Sequence, residues 1–188
     1  MTLVFLGWLV LAVMFLLRRR PTAALERRRD LSSLLGIALQ GAGFALTWSV
    51  DRAGISIVPE MSMSLRRMAT VIIGALVVGS IWLTAAAVRT LGKQWSLAAR
   101  VLESHELITS GPYGIVRNPI YTGMFGLLLA TGLAVSTWYA LAGGAVLFIL
   151  GTWVRISAEE RLLRGVFGEA YEQYARRVPA FIPRLRVR

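Results

Sequence analysis

Residues 120–156 read IYTGMFGLLLATGLAVSTWYALAGGAVLFILGTWVRI, and this apolar stretch decides the fold. A helix needs about 20 apolar residues to cross a bilayer, so the run is too long for one crossing. Gly132, Ser136 and Thr137 interrupt it near its middle. We therefore predict two membrane helices, Ile120–Val135 and Trp138–Ile156, that form a tight helical hairpin.

Three further apolar runs precede the hairpin, at Met1–Leu17, Leu31–Val50 and Met68–Leu91. The first lacks the positive flank that precedes the apolar core of a signal peptide, and three arginines follow it instead. The second contains small residues of the kind that allow close helix packing: Gly36, Gly41, Ala42 and Gly43. The fold class predicted is therefore an all-α integral membrane protein with about five transmembrane helices.

The domain organisation expected is one structural domain with two parts. Residues 1–91 form an N-terminal region of three spans. Residues 92–188 contain a loop, the two-span hairpin and a C-terminal tail, and the tail is expected to include a cytoplasmic amphipathic helix. Its apolar positions recur at helical spacing and are interrupted by Gly165 and Gly168: Leu162, Leu163, Val166, Phe167, Ala170, Tyr171 and Tyr174.

The composition agrees with a membrane protein. Hydrophobic residues make up 56% of the chain and charged residues 16%, whereas a soluble domain has about 45–50% and about 25%. These values exclude an ordinary soluble enzyme, a disordered chain and a coiled coil. The chain has no cysteine and one histidine, His105, which excludes a disulfide framework and any metal centre with thiolates or two imidazoles, so no metal site is expected.

The net charge of +11 is interpreted as a signal for membrane orientation and anionic headgroups, not for nucleic acid. With five spans and the N-terminus outside, 18 of the 21 Lys and Arg residues fall in the inside segments and only three outside. The split follows the positive-inside rule and places the C-terminus in the cytoplasm. Arginine outnumbers lysine 20 to 1, as in GC-rich bacterial genomes, so a bacterial inner membrane is expected.

A first polar cluster lies where the fourth predicted helix begins. Asn118 suits the N-cap and Pro119 suits the first helical position. The backbone N–H groups at such a helix start attract carboxylate or phosphate, and Arg117 adds a positive charge. Tyr113 and Tyr121 flank this start with aromatic rings. The alternative is that Arg117 snorkels and the two tyrosines belong to an interfacial aromatic belt.

A second polar cluster follows the fifth predicted span. Arg155 and Glu159 are four residues apart and share a helix face, whereas Glu160 points about 100° away. An acidic pair is unusual just below a membrane span and beside a basic tail. The alternative is an ordinary Arg155–Glu159 surface pair with a solvated Glu160.

Together these clusters resemble the isoprenylcysteine carboxyl methyltransferase family, which is similar to the membrane phospholipid methyltransferases. The resemblance covers about residues 90–185 in order and spacing. One departure is clear: Asn118 stands where the family's Arg-His-Pro-x-Tyr signature has its histidine. The matching motifs are His105-x-Leu107-Ile108-Thr109-Ser110-Gly111-Pro112-Tyr113, Arg117-Asn118-Pro119-x-Tyr121-x-Gly123, Glu159-Glu160, Phe167-Gly168-x-x-Tyr171-x-x-Tyr174 and Val178-Pro179-x-Phe181-x-Pro183.

The resemblance implies methyl transfer from S-adenosylmethionine (SAM) to a lipophilic acceptor that enters from the bilayer. It assigns catalytic roles to Arg155, Glu159 and Arg117, with Arg155 directed at the acceptor. The acceptor expected is a lipophilic small molecule or a prenylated substrate. The cofactor-binding residues implied are His105, Leu107, Ile108, Tyr113, Asn118, Pro119, Tyr121, Glu159 and Glu160.

The acceptor chemistry stays open at this point. A carboxylate is already a nucleophile at pH 7, and Arg155 suits its orientation through paired hydrogen bonds. An amine must first lose a proton, for which Glu159 or Glu160 is a candidate base. The main expectation is carboxyl O-methylation of an isoprenylcysteine-like substrate, and the alternative is a phospholipid or lipid-amine N-methyltransferase. More distant alternatives are a sterol-type reductase with NADPH and a non-enzymatic membrane subunit.

Overall fold

A computed structural model describes residues 1–18, 26–29, 31–49, 62–95, 100–102 and 106–182 of the chain. Helices dominate the described residues, as the sequence predicts. The elements in chain order are α1 (Thr2–Arg18), β1 (Glu26–Arg29), α2 (Ser32–Ser49), α3 (Met63–Leu91), β2 (Arg100–Leu102), α4 (Pro119–Val135), α5 (Trp138–Phe167) and α6 (Glu169–Arg177).

The predicted hairpin is present. Only the buried residues Ser136 and Thr137 separate α4 from α5. The second arm is longer than predicted, because α5 continues beyond Ile156 and through Gly165. An interior glycine costs a helix only about 1 kcal/mol, which packing easily offsets. Gly168 ends α5 instead, since its backbone lies in the left-handed region at φ 49°.

The apolar runs of the sequence become α1 to α5. Two of these helices, α3 and α5, are long and apolar enough to cross a membrane by length and composition. The helices α1 and α4 are apolar but shorter. Large apolar side chains stay exposed along α1, α3 and α5, among them Leu9, Ile72, Trp82, Ile149 and Trp153. Such a surface is typical of contact with lipid, not with water.

Glycines bring α2 and α5 into backbone contact at two levels. A Cβ atom on Gly43 would lie 2.6 Å from the carbonyl oxygen of Gly144, and one on Gly36 would lie 2.6 Å from that of Gly151. Because the pairs run in opposite sequence order, the two helices are antiparallel. Close packing was predicted for Gly36 and Gly43, whereas Gly41 meets no atom within 4 Å.

The helices α1, α3 and α4 form the other side of the bundle. Their buried apolar cluster consists of Val4, Leu11, Val77, Leu127 and Ala130. A Cβ atom on Gly123 of α4 would lie 2.9 Å from the carbonyl oxygen of Ser80 on α3, so these backbones also approach closely.

Two short strands, which the sequence did not predict, accompany the helices of this all-α fold. The strands β1 and β2 pair antiparallel, with Glu26 opposite Leu102 and Arg29 opposite Arg100. They join the segment between α1 and α2 to the segment between α3 and α4. β1 has four residues, three of them arginine, and β2 has three residues. Neither is long enough to show an alternation of apolar residues, so only their backbone pairing marks them as strands.

Candidate functional site

The last turn of α6 and the residues that follow it, up to Phe181, fold back over the start of α4. The backbone N–H of Arg117 donates to the carbonyl oxygen of Pro179 at 2.8 Å. One guanidinium nitrogen of Arg117 donates to the carbonyl oxygens of Ala175 and Val178, at 2.7 and 2.8 Å. A single arginine therefore binds both the last turn of α6 and the residues that follow it.

The same arginine forms a buried ion pair with Glu160 of α5. Its second terminal nitrogen lies 2.7 Å from Glu160 Oε1, and Arg164 approaches Glu160 Oε2 at 2.9 Å. Both oxygens of the carboxylate thus face arginines, and Glu160 is 8% exposed. We call Arg117, Glu160 and their backbone partners the tail lock.

Asn118 also binds the tail. It occupies the N-cap position of α4 as predicted, but its side chain does not cap the helix. Its amide nitrogen donates to the carbonyl oxygen of Ala180 at 2.8 Å, and Thr122 Oγ1 donates to that of Phe181 at 2.6 Å. Backbone carbonyl groups of the tail therefore cover the start of α4, and the Asn118 side chain donates to one of them.

Three buried tyrosines complete the contact between the tail and the loop before α4. Tyr174 Oη donates to the carbonyl oxygen of Tyr113 at 2.7 Å. Burial raises the pKa of Tyr174 to about 12, with Arg117 lowering it and Glu160 raising it. Burial likewise raises the pKa of Tyr113 and Tyr171, and the Glu159 charge adds to the rise at Tyr113. These hydroxyls are therefore neutral donors.

A second polar group, separate from the tail lock, lies between the helices. The hydroxyl of Tyr121 on α4 donates to the Glu159 carboxylate on α5. The Arg155 guanidinium lies over the Tyr121 ring, 4.8 Å from its centroid. The shortest ion-pair distance from Arg155 to Glu159 Oε1 is 3.9 Å, which is longer than a hydrogen bond. We call Tyr121, Arg155 and Glu159 the helix cluster.

The two charged members of the helix cluster differ in exposure. Arg155 is only 5% exposed, whereas the Glu159 side chain is 30% exposed. Arg155 was expected at the end of a span and lies inside the bundle against α2 instead. The close approach of α5 to α2 at Gly36 buries the Arg155 side chain there.

Sequence reasoning missed Gln40, which contacts this cluster from α2, and Thr152, which contacts Gln40. Gln40 on α2 accepts a hydrogen bond from Arg155 at 3.1 Å, and its amide nitrogen donates to Thr152 Oγ1 at 2.8 Å. Both Gln40 and Thr152 are 2% exposed. A glutamine inside an apolar span was the available signal, since such residues usually bind a partner across the bundle.

The other predicted cofactor residues lie in or beside the loop before α4. Leu107 and Ile108 are half-buried, while Tyr113 and Pro119 are buried. His105 lies outside the described residues. The predicted site therefore divides: Arg117, Asn118 and Glu160 belong to the contact with the tail, and Tyr121, Arg155 and Glu159 to the helix cluster. Ligand binding by either group stays a prediction.

Comparison with known proteins yields several similar sequences. Protein-S-isoprenylcysteine O-methyltransferase of Schizosaccharomyces pombe is 34% identical over 117 residues, covering 59% of this chain and 48% of that protein. Cobalt-zinc-cadmium resistance protein CzcN of Cupriavidus metallidurans is 39% identical over 102 residues, covering 51% and 44%. Methanethiol S-methyltransferase of Crocosphaera subtropica is 37% identical over 71 residues, covering 38% and 27%.

These matches span about half the length of the first two relatives, or less. The sequence profile of the phospholipid methyltransferase family matches residues 68–170. That range contains most of α3 and all of α4 and α5, together with every residue of the helix cluster and the ion pair of the tail lock. The chain belongs to the phospholipid methyltransferase family.

Proposed function

We propose that the protein is an integral membrane methyltransferase that transfers a methyl group from SAM to a lipophilic acceptor. The acceptor proposed is the carboxylate of an isoprenylcysteine-like substrate, including a prenylated protein. One observation carries the proposal: a buried arginine, Arg155, lies beside the Tyr121–Glu159 pair, between helices whose outer faces are apolar. The similarity to isoprenylcysteine O-methyltransferases supports it.

The donor set around the helix cluster fits SAM. When bound, SAM supplies an electrophilic methyl group on a sulfonium. Glu159 is the carboxylate best suited to hold the ribose or amine of SAM, because it is partly exposed and only loosely paired with Arg155. Tyr121 orients that carboxylate through its hydroxyl. The half-buried Leu107 and Ile108 offer an apolar surface for the adenine.

The role proposed for Arg155 is to orient an anionic acceptor. A guanidinium holds a carboxylate through two parallel hydrogen bonds, and burial strengthens that attraction. The packed helices exclude water, so displacement depends on position more than on proton transfer. An amine acceptor is cationic before it reacts, and Arg155 would repel it. We therefore place the phospholipid-amine reaction second.

The tail lock is assigned a supporting role in this scheme. Arg117 was expected to be catalytic and Glu160 to bind the cofactor, but each already has short contacts with the other or with the tail. We propose that they hold α6 and the tail against the loop, closing one side of the SAM pocket. Asn118 acts in the same way through Ala180, a contact that needs a hydrogen-bond donor and no proton shuttle.

The membrane placement proposed is five spans, with the N-terminus outside and the C-terminus in the cytoplasm of a bacterium. The exposed apolar side chains of α1, α3 and α5 support burial in lipid. The pairing of β1 with β2 supports it as well, because the segments that the topology places on the inner side lie together. Within this arrangement residues 1–91 form the supporting three-span region and residues 92–188 the methyltransferase core.

The test uses the full-length protein in lipid nanodiscs with tritiated SAM. Three acceptors are compared: a farnesylated cysteine derivative, phosphatidylethanolamine and methanethiol. We expect base-labile label on the farnesylated cysteine, as a methyl ester requires. If only phosphatidylethanolamine or only methanethiol is labelled, the acceptor is an amine or a thiol and not a carboxylate. Thermal stabilisation by NADPH and not by SAM would reject methyl transfer.

A further inference from the structure

Gln40 makes two directed side-chain hydrogen bonds between helices. Its amide nitrogen donates to Thr152 on α5, and its amide oxygen accepts from Arg155. An amide nitrogen donates and cannot accept, so reversing the amide would set it against the guanidinium donors. The guanidinium therefore fixes the amide with its oxygen towards Arg155, and the contact with Thr152 holds the amide nitrogen against α5.

The backbone contact of α2 with α5 gives this short side chain its reach. A Cβ atom on Gly151 would lie 2.8 Å from the backbone nitrogen of Gln40 and 2.6 Å from the carbonyl oxygen of Gly36. The Arg155 side chain also passes directly over Gly36. Groups on helices packed this closely are held more precisely than groups on loops.

The neighbouring polar residue on the same face of α2 behaves differently. Thr47, seven residues beyond Gln40, is fully buried and donates to the carbonyl oxygen of Gly43 in its own helix at 2.9 Å. Thr47 thus satisfies its hydroxyl locally. Gln40 instead hydrogen-bonds two residues of α5 through its amide: the nitrogen donates to Thr152, and the oxygen accepts from Arg155 of the helix cluster.

We propose that Gln40 is a positioning residue for Arg155, and that α2 thereby contributes to recognition of the carboxylate acceptor. The inference rests on the proposed function. Gln40 lies outside residues 68–170, the part of the chain that matches the family profile. Within the helix cluster the guanidinium lies over the Tyr121 ring and 3.9 Å from Glu159, and Gln40 contributes a hydrogen bond at 3.1 Å from α2.

The proposal predicts a defect that depends on Arg155. Gln40→Leu keeps the size and helix preference of the side chain and removes both hydrogen bonds. We expect it to reduce kcat/KM for the farnesylated cysteine about tenfold, while S-adenosylhomocysteine affinity changes by less than about threefold. Thr47→Val is the matched control on the same helix face, and we expect it to retain wild-type kinetics.

Residue coupling separates positioning from general packing. In an Arg155→Lys background, Gln40→Leu should reduce kcat/KM by no more than about twofold further, because no guanidinium is left to position. If Gln40→Leu reduces kcat/KM as much in the Arg155→Lys background as in the wild type, the proposal is wrong. It is also wrong if the Gln40→Leu variant matches Thr47→Val in both kinetics and melting temperature.

Two further variants keep the test decisive. If Gln40→Leu does not fold, Thr152→Val removes only the bond that orients the amide, and about a threefold loss of kcat/KM is expected with unchanged S-adenosylhomocysteine affinity. Gln40→Glu places a competing carboxylate at Arg155, so the KM of the anionic acceptor should rise. If the KM is unchanged in Gln40→Glu and the kinetics of Thr152→Val are those of the wild type, the inference about Gln40 is wrong and the proposed function is unaffected. An inactive wild-type chain that does not bind SAM would overturn the proposed function, and this inference with it.

Discussion

The tail lock and the helix cluster each combine an arginine with a glutamate, and they differ in how closely these two side chains approach each other. In the tail lock, Arg117 reaches Glu160 at 2.7 Å and two backbone carbonyls at similar distances. In the helix cluster, Arg155 and Glu159 are 3.9 Å apart at their shortest ion-pair distance. The Glu159 carboxylate also remains 30% exposed, against 11% for that of Glu160.

The difference indicates two kinds of role. A buried ion pair with several short contacts is structural, because removing one partner leaves the other uncompensated. A pair that is 3.9 Å apart and has a partly exposed carboxylate leaves that carboxylate accessible to a ligand. We therefore expect tail-lock variants to change stability and helix-cluster variants to change binding and turnover.

The largest effect is expected for Arg117→Met. This change removes the closest arginine contact of Glu160 and leaves the carbonyl groups of Ala175 and Val178 without this donor, so α6 should detach at a cost of about 3–5 kcal/mol. Detachment exposes the backbone after Arg176 and Arg177 to trypsin. Tryptic cleavage of the protein in nanodiscs, with the fragments identified by mass spectrometry, measures the effect.

Glu169→Gln, which breaks an exposed ion pair with Arg176, is the control and should change cleavage little. Equal cleavage rates in the two variants would refute the tail lock.

Glu159→Ala and Tyr121→Phe test the helix cluster as a cofactor site. Each removes a hydrogen bond that involves a charged group, worth about 1.5–3 kcal/mol, so SAM affinity should fall by roughly 10- to 150-fold. The pattern of tryptic cleavage should stay that of the wild type, since neither residue belongs to the tail lock. Calorimetric titration with SAM measures the affinity. If SAM affinity is unchanged in both variants, the helix cluster is not a cofactor site and does not differ in role from the tail lock.

Arg155→Lys sharpens the comparison within the helix cluster. Lysine keeps the positive charge but loses the planar fork that binds a carboxylate through two hydrogen bonds. We expect turnover of a carboxylate acceptor to fall at least about tenfold, with SAM affinity within about threefold. Single-turnover kinetics with labelled SAM provide the measurement. Full activity would contradict a carboxylate acceptor and favour an amine or thiol.

The smallest effect is expected for Tyr174→Phe at the edge of the tail lock. Loss of the hydrogen bond to Tyr113 should cost about 0.5–1.5 kcal/mol at pH 7. Burial raises the pKa of Tyr174 to about 12, above the value of about 10 for an unfolded tyrosine. The neutral hydroxyl therefore contributes stability below pH 10 that is lost as the pH rises towards 12. Melting temperatures from pH 7 to pH 11 should fall less steeply in Tyr174→Phe than in wild type, and Tyr139→Phe on an exposed position is the control.

Local patterns in the sequence predicted the helical elements well. The apolar run interrupted at Ser136 and Thr137 predicted the hairpin, and Asn118-Pro119 predicted where α4 begins. The same patterns did not predict how far α5 extends, since Gly165 breaks a helix only when packing does not support it. They also missed β1 and β2, whose pairing joins segments about 70 residues apart in sequence.

The sequence by itself determined the helices, the close-packing positions Gly36 and Gly43, and the motif that relates the chain to membrane methyltransferases. These follow from residue type and short spacing. The tertiary structure alone decided which glutamate pairs closely with which arginine. It also decided that Gln40 hydrogen-bonds Arg155, which is 115 residues away in the sequence. Both pairs combine a guanidinium with a carboxylate, so no local pattern distinguishes them. Only the packing of the tail and of α2 sets the distances and the burial that separate a structural ion pair from a candidate binding site.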